Sequence, residues 1–213
     1  MTHNIRSIGI LGAGKLGIVL AQLALKAGYE VNLSGSGDPK KIALSVSVLA
    51  PGAHADWSEK VAEQSNVIVL ALPLGKYQTV PKEALKGKLV IDAMNYWWEV
   101  DGDRPDLTDA SISSSEIVQT YISDARVVKA LSHVGYHDLH DSARPRAAED
   151  RKAVAIAGDD EADVRVVSEL VDALGFDPLV IGDLAEGRTL QPGSPAFGVS
   201  VNLSELQEII SRQ

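Results

Sequence analysis

The chain has no cysteine among its 213 residues, which excludes disulfides, thiolate metal sites and thiol chemistry. No apolar run is long enough to span a bilayer. The longest candidate, residues 8–25, is interrupted by Lys15 and by glycines, and fits neither a membrane helix nor a signal segment. Basic excess is also missing. Twenty Lys and Arg against 29 Asp and Glu leave a formal charge of −9, which argues against nucleic acid as a partner, because phosphate neutralisation needs a basic face. A cytoplasmic location is expected, with no membrane partner. There is no Gly-x-Ser-x-Gly elbow, so a hydrolase triad is not expected. His133, His137 and His140, with Asp138 and Asp141, are the nearest approach to a metal-binding set. Gly135 puts them on a loop, and no metal is expected.

What is present begins at once. Residues 8–17 form a short apolar strand that runs into Gly12-Ala13-Gly14-Lys15-Leu16-Gly17 and then into a helix-forming run. This is a dinucleotide-binding fingerprint in its proper context. Gly12 permits the turn out of the strand, Gly14 lets backbone approach a pyrophosphate, and Gly17 lets the helix pack close to the sheet. The helix N-terminus then offers free N–H groups and the positive end of its dipole to phosphate.

Strand and helix patterns alternate along the rest of the chain. Strands are expected at 6–11, 30–33, 53–55, 67–71, 88–92, 126–130, 152–157 and 178–181. Helices are expected at 15–27, 57–64, 77–86, 160–174 and 204–211, with Ser204 capping the last. Asp38-Pro39 opens a further helix as cap and first-turn residue, and Ser113-x-x-Glu116 is a capping box that starts another. Residues 93–112 and 131–152 read as long polar loops following strands. The class is α/β: a doubly wound, mainly parallel sheet (a Rossmann fold) with a small C-terminal α/β extension. Residues 1–130 form the dinucleotide-binding part, and residues 131–213 complete the sheet and a substrate cleft.

In NAD binders a carboxylate at the end of the second strand holds the ribose 2′-OH. Ser34 stands there, followed by Gly35 and Ser36, with Lys40 and Lys41 beyond. A 2′-phosphate would be repelled by a carboxylate and accepted by hydroxyls, N–H groups and Lys40, so NADP(H) is the expected cofactor. Leu72 and Pro73 end a buried strand and face either the ligand or a simple turn. Asn95 either bonds the cofactor or organises its loop. Tyr96, Trp97 and Trp98 either form a stacking wall or pack the loop. His133 follows the strand ending at Ala130 and is expected to reach a substrate ring.

Taken with Val67–Leu74, Ser113-Ser-Ser-Glu-Ile-Val118, Ala125-Arg-Val-Val-Lys-Ala-Leu131, Ile156-Ala-Gly-Asp-Asp160 and Leu174-Gly-Phe-Asp-Pro178, the fingerprint resembles the F420H2:NADP oxidoreductase family over nearly the whole chain. The resemblance implies hydride exchange between NADP(H) and a deazaflavin, coenzyme F420, as the small-molecule redox partner. It implies that residues 13–16 meet the pyrophosphate, and that Gly35, Ser36 and Lys40 meet the 2′-phosphate. Leu72, Pro73 and Ala130 would line the nicotinamide, with Ser132 to Gly135 beside the second ring. His133 would be a proton or hydrogen-bond partner there. A homodimer is also implied. Leu203, Leu206, Ile209 and Ile210 of the terminal helix form either its contact surface or a face docked on the chain's own sheet. Two other readings stay open: NADPH-dependent reduction of a flavin, ferric chelate or imine, and a non-catalytic NADP-sensing module.

Overall fold

The computed structural model describes residues 5–109 and 111–212. Eight strands form one sheet: β1 (Ser7–Leu11), β2 (Glu30–Ser34), β3 (His54–Ala55), β4 (Val67–Leu70), β5 (Leu89–Asp92), β6 (Arg126–Ala130), β7 (Ala153–Gly158) and β8 (Asp177–Gly182). Their order is β3-β2-β1-β4-β5-β6-β7-β8. The first six run parallel, as a doubly wound fold requires, and β7 turns antiparallel to β6 while β8 follows β7.

Alternation along each strand splits the core into two layers. Ile8, Ile10, Val67, Val69, Val128 and Ala130 face α1 (Lys15–Lys26) and α7 (Glu161–Leu174). Leu11, Ile68, Leu70, Val90 and Val127 face α3 (Ser58–Gln64) and α5 (Ser114–Tyr121). α2 (Lys40–Leu49) lies outside this arrangement. Val46 is its one buried residue, and Leu44 and Val48 are exposed. Its start is displaced by one residue from expectation: Pro39 precedes the helix, and Asp38 Oδ1 accepts the Lys40 N–H at 2.9 Å.

Several segments differ from the sequence reading. The polar stretch 93–112 carries α4 (Trp98–Asp101) and a 3-10 turn at Pro105–Leu107, and 131–152 carries α6 (Tyr136–Ser142). The helix expected at 77–86 is two 3-10 turns, Leu74–Thr79 and Lys82–Leu85. Pro81 divides them, because proline lacks an N–H and disfavours helical backbone in the residue before it. The terminal helix α8 (Leu203–Ser211) is capped by Asn202 in a reciprocal box with Glu205, not by Ser204. It docks on its own sheet, where Leu206 is fully buried with Ala153, Ala155, Leu190 and Ala196.

Register gives the extension its shape. β7 meets β6 only from Val128↔Gly158 to Ala130↔Ile156. Ala153–Ala155 therefore stand beyond the carboxyl end of β6, a ledge about 10 Å tall at the usual rise per residue. Among the described residues no helix is long and apolar enough to cross a membrane.

Candidate functional site

The fingerprint turn is built around two close approaches. Gly12 has φ +123°, and a Cβ there would meet Ala71 O at 2.2 Å. A Cβ on Gly17 would lie 1.8 Å from Gly12 O, so α1 touches the turn backbone to backbone. Gly14 is the opposite case. A Cβ there would meet nothing within 4 Å, which leaves open space in front of the turn. α1 starts at Gly14 with no capping side chain and no acidic residue in its first turn. A diphosphate fits such a cradle, because orphan N–H groups and the helix dipole both favour an anion. Leu16 packs against the core, and Lys15 Nζ sits 5.4 Å from the centre of the Tyr136 ring, linking the turn to α6.

A cleft of about 340 Å³ opens at the carboxyl ends of β2, β1 and β4. Its lining includes Gly12, Ala13 and Gly14 from the turn, Ser34, Gly35 and Ser36 after β2, and Leu72 and Pro73 after β4. No carboxylate is among its lining residues. Lys40, expected at the 2′-phosphate, is exposed at the start of α2 and does not line it. Sequence reasoning missed Ser58, whose hydroxyl donates to Ser34 Oγ at 3.1 Å, and the wall from Lys76 to Pro81. The only earlier signal for that wall was its place after a strand of the nucleotide half.

Asn95 and Ser132 lie together at the ends of β5 and β6, outside this cleft. Asn95 Nδ2 donates to Ser132 O at 2.6 Å, while Asn95 Oδ1 and Ser132 Oγ are buried without a partner. Unpaired buried polar atoms are costly unless a further group meets them. Leu131 between Ala130 and Ser132 has φ +63°, a left-handed conformation that bends the chain off β6. Ala130 itself has no exposed surface. Its methyl belongs to the α1-side core, so it does not line a ring as the resemblance implied. Of the aromatic run, Trp97 meets Phe197 edge-on at 5.6 Å, and Trp98 is 69% exposed.

A buried charge pair was also missed. Lys129 and Asp92 are neighbours in register on β6 and β5, and both are fully buried. Lys129 Nζ donates to Asp92 Oδ2 at 3.3 Å and to Met94 O at 2.6 Å. Asp92 also accepts from Ser115 Oγ at 2.6 Å and from the Met94 N–H at 2.9 Å. The pair thus fixes the first residues after β5, immediately before Asn95.

His133 does not stand at a substrate. It is 1% exposed, and its Nε2 accepts the Ala155 N–H at 2.9 Å. The proton is then on Nδ1, which donates to Ala196 O at 3.3 Å. Both nitrogens are occupied in tying the ledge strand β7 to the 196–198 segment, and Gly198 N–H donates to His133 O at 2.7 Å. A catalytic role for His133 is therefore set aside. Burial pushes its imidazole down to about 4, against a smaller opposing pull from the Ala196 carbonyl. The unfolded chain takes up this proton near pH 6.5 and the folded protein only near 4, so stability falls as the pH drops through that window. Urea unfolding should show the wild type losing about 2 kcal/mol more than His133→Gln between pH 7.5 and pH 5. Equal losses in the two proteins would mean the ring is not buried neutral.

Comparison with known proteins bears on the same turn. Residues 7–96 match the family model described as NADP oxidoreductase, coenzyme F420-dependent. That stretch holds the fingerprint turn and the strands from β1 to β5. The rat metalloreductase STEAP3 is 28% identical over 186 residues, covering 86% of the chain. The chain spans 35% of that relative's length. The solved structure of a hypothetical protein, SMa0349 from Sinorhizobium meliloti, superposes with a TM-score of 0.81 at 24% identity, covering 94% of this chain and 97% of the other. A protein of Arthrobacter sp. FB24, described as a candidate F420-dependent NADP-reductase, superposes at 0.74 with 24% identity, covering 87% of this chain and 88% of its own. These likenesses show that the chain shares the mainly parallel α/β fold of those two solved structures.

Proposed function

We propose that the protein transfers a hydride between NADP(H) and a deazaflavin, coenzyme F420. The observation that carries the cofactor half is the open cradle at Gly14, set in a cleft whose β2 end offers Ser34, Gly35 and Ser36 and no carboxylate. Gly12, Ala13 and Gly14, with the first turn of α1 from Lys15 to Gly17, hold the diphosphate. The 34–36 loop takes the 2′-phosphate end, and Leu72 and Pro73 pack on the ribose side. Asn95 and Ser132, each with an unpaired buried polar atom, position the redox end of the cofactor. The bound cofactor supplies the hydride, and flat-ring exchange of this kind needs placement and exclusion of water more than acid–base groups. That suits a site whose one histidine is already engaged in the fold. Residues 131–213 supply the acceptor side through the ledge of β7 and β8.

The family description and the Arthrobacter neighbour's description support the deazaflavin. The metalloreductase relative supports a second reading, in which NADPH reduces a ferric chelate. The test is an assay of protein, NADPH and F420. The expected result is loss of the deazaflavin's visible absorbance coupled one-to-one to NADPH oxidation. Turnover with a ferric chelate or a flavin but none with F420 would move the assignment to another acceptor. Tight NADPH binding with no acceptor reduced would make the protein a sensor.

A further inference from the structure

The cleft that ends at the 34–36 loop has one cationic residue in its lining, and it does not come from that loop. It is Lys76, on the 3-10 turn after β4. β1 lies between β2 and β4 in the sheet, so the two loops flank the fingerprint turn from opposite sides. Lys76, Thr79, Val80 and Pro81 line the cleft from the segment after β4, and Gly35 and Ile42 line it from the segment after β2.

The turn bearing Lys76 is clamped. Gly75 N–H donates to Asp101 Oδ1 at 2.9 Å, Arg104 Nη1 donates to Gly75 O at 2.7 Å, and Thr79 Oγ1 donates to Lys76 O at 2.8 Å. These bonds use the backbone on either side and leave the ammonium free. Among the described residues no carboxylate lies within 4 Å of it. The other candidates are paired elsewhere or stand outside the lining. Arg104 is paired with Asp106, and Lys40 lies outside the lining. Ser34 Oγ is bonded to Ser58. In a chain of net charge −9, a dianionic phosphate at this end of the cleft needs a local cation, and a phosphate–ammonium bond is among the stronger hydrogen bonds available.

We propose that Lys76 is the residue that selects a 2′-phosphorylated adenosine over the unphosphorylated one, reaching across the cleft to the phosphate held by the 34–36 loop. The inference rests on the NADP(H) reading of this cleft and adds the residue that enforces it. Lys76 is exposed, so Lys76→Met is compatible with folding, and Lys76→Arg keeps the charge.

The experiment is to titrate wild type and both variants with NADPH and with NADH. Lys76→Met should weaken NADPH by about tenfold and NADH by less than about twofold, while Lys76→Arg keeps the NADPH preference. Equal weakening of both nucleotides would place Lys76 on the shared diphosphate and overturn the inference. A wild-type preference for NADPH that survives intact in Lys76→Met would overturn it too, leaving the cofactor reading standing. A wild type that binds both nucleotides alike would remove the cofactor reading and this inference together.

Discussion

Lys129→Met is expected to lower the unfolding free energy by about 3–5 kcal/mol, the usual cost of leaving one charge of a buried pair alone. Asp92 would stay fully buried, with Ser115 Oγ and the Met94 N–H left, among the described residues, to serve its carboxylate. Met94 O would lose the ammonium donor at the same time. Asp92→Asn should cost a comparable amount, because it leaves the ammonium facing an amide. The double variant should recover a good part of the loss, since two neutral side chains of similar size avoid the desolvation that each single change exposes. Chemical denaturation of the four proteins tests this. Single variants that lose less than about 1 kcal/mol would show that the two side chains are not an ion pair in the folded protein.

Gly17→Ala should be the second severe change. The added methyl would sit 1.8 Å from a main-chain oxygen, and no side chain can move aside to relieve it. Either α1 lifts off the sheet or the turn at Gly12 shifts, and with main chain as the obstacle the cost is expected at the upper end of the usual overpacking range, about 3 kcal/mol. Gly14→Ala makes the informative comparison. Its backbone, φ −78°, suits alanine, and the new methyl meets no protein atom. Its melting temperature should match the wild type, while NADPH binding weakens by about tenfold because the methyl occupies the space of the diphosphate. Unchanged NADPH affinity in a stable Gly14→Ala would show that no diphosphate lies against this turn.

The parts of the site that the sequence made legible are those fixed by backbone geometry. Only glycine suits Gly12 and Gly17, so the turn announced itself, and the missing carboxylate at Ser34 was a single-position fact. Helices such as α1 and α7 showed because several turns of apolar spacing face the sheet. α6 did not, because Leu139 is its one buried residue and a single apolar position has no period. The buried pair escaped for a different reason. A lysine at position 129 inside Val-Val-Lys-Ala is unremarkable until strand order brings it beside Asp92, 37 residues earlier. His133 misled because a histidine past a strand end is compatible with chemistry or with structure, and the choice depends on which backbone groups fold over it. Here those are Ala155 and Ala196, neither of which is near it in sequence.

The seam between β6 and β7 is only three residues long on each side, Val128–Ala130 against Ile156–Gly158. Residues added in the 143–152 connection would raise or tilt the outer two strands without passing through the glycine turn. Under the proposed function, one part of the molecule is then open to rebuilding for a new acceptor while the other keeps its grip on the same electron donor.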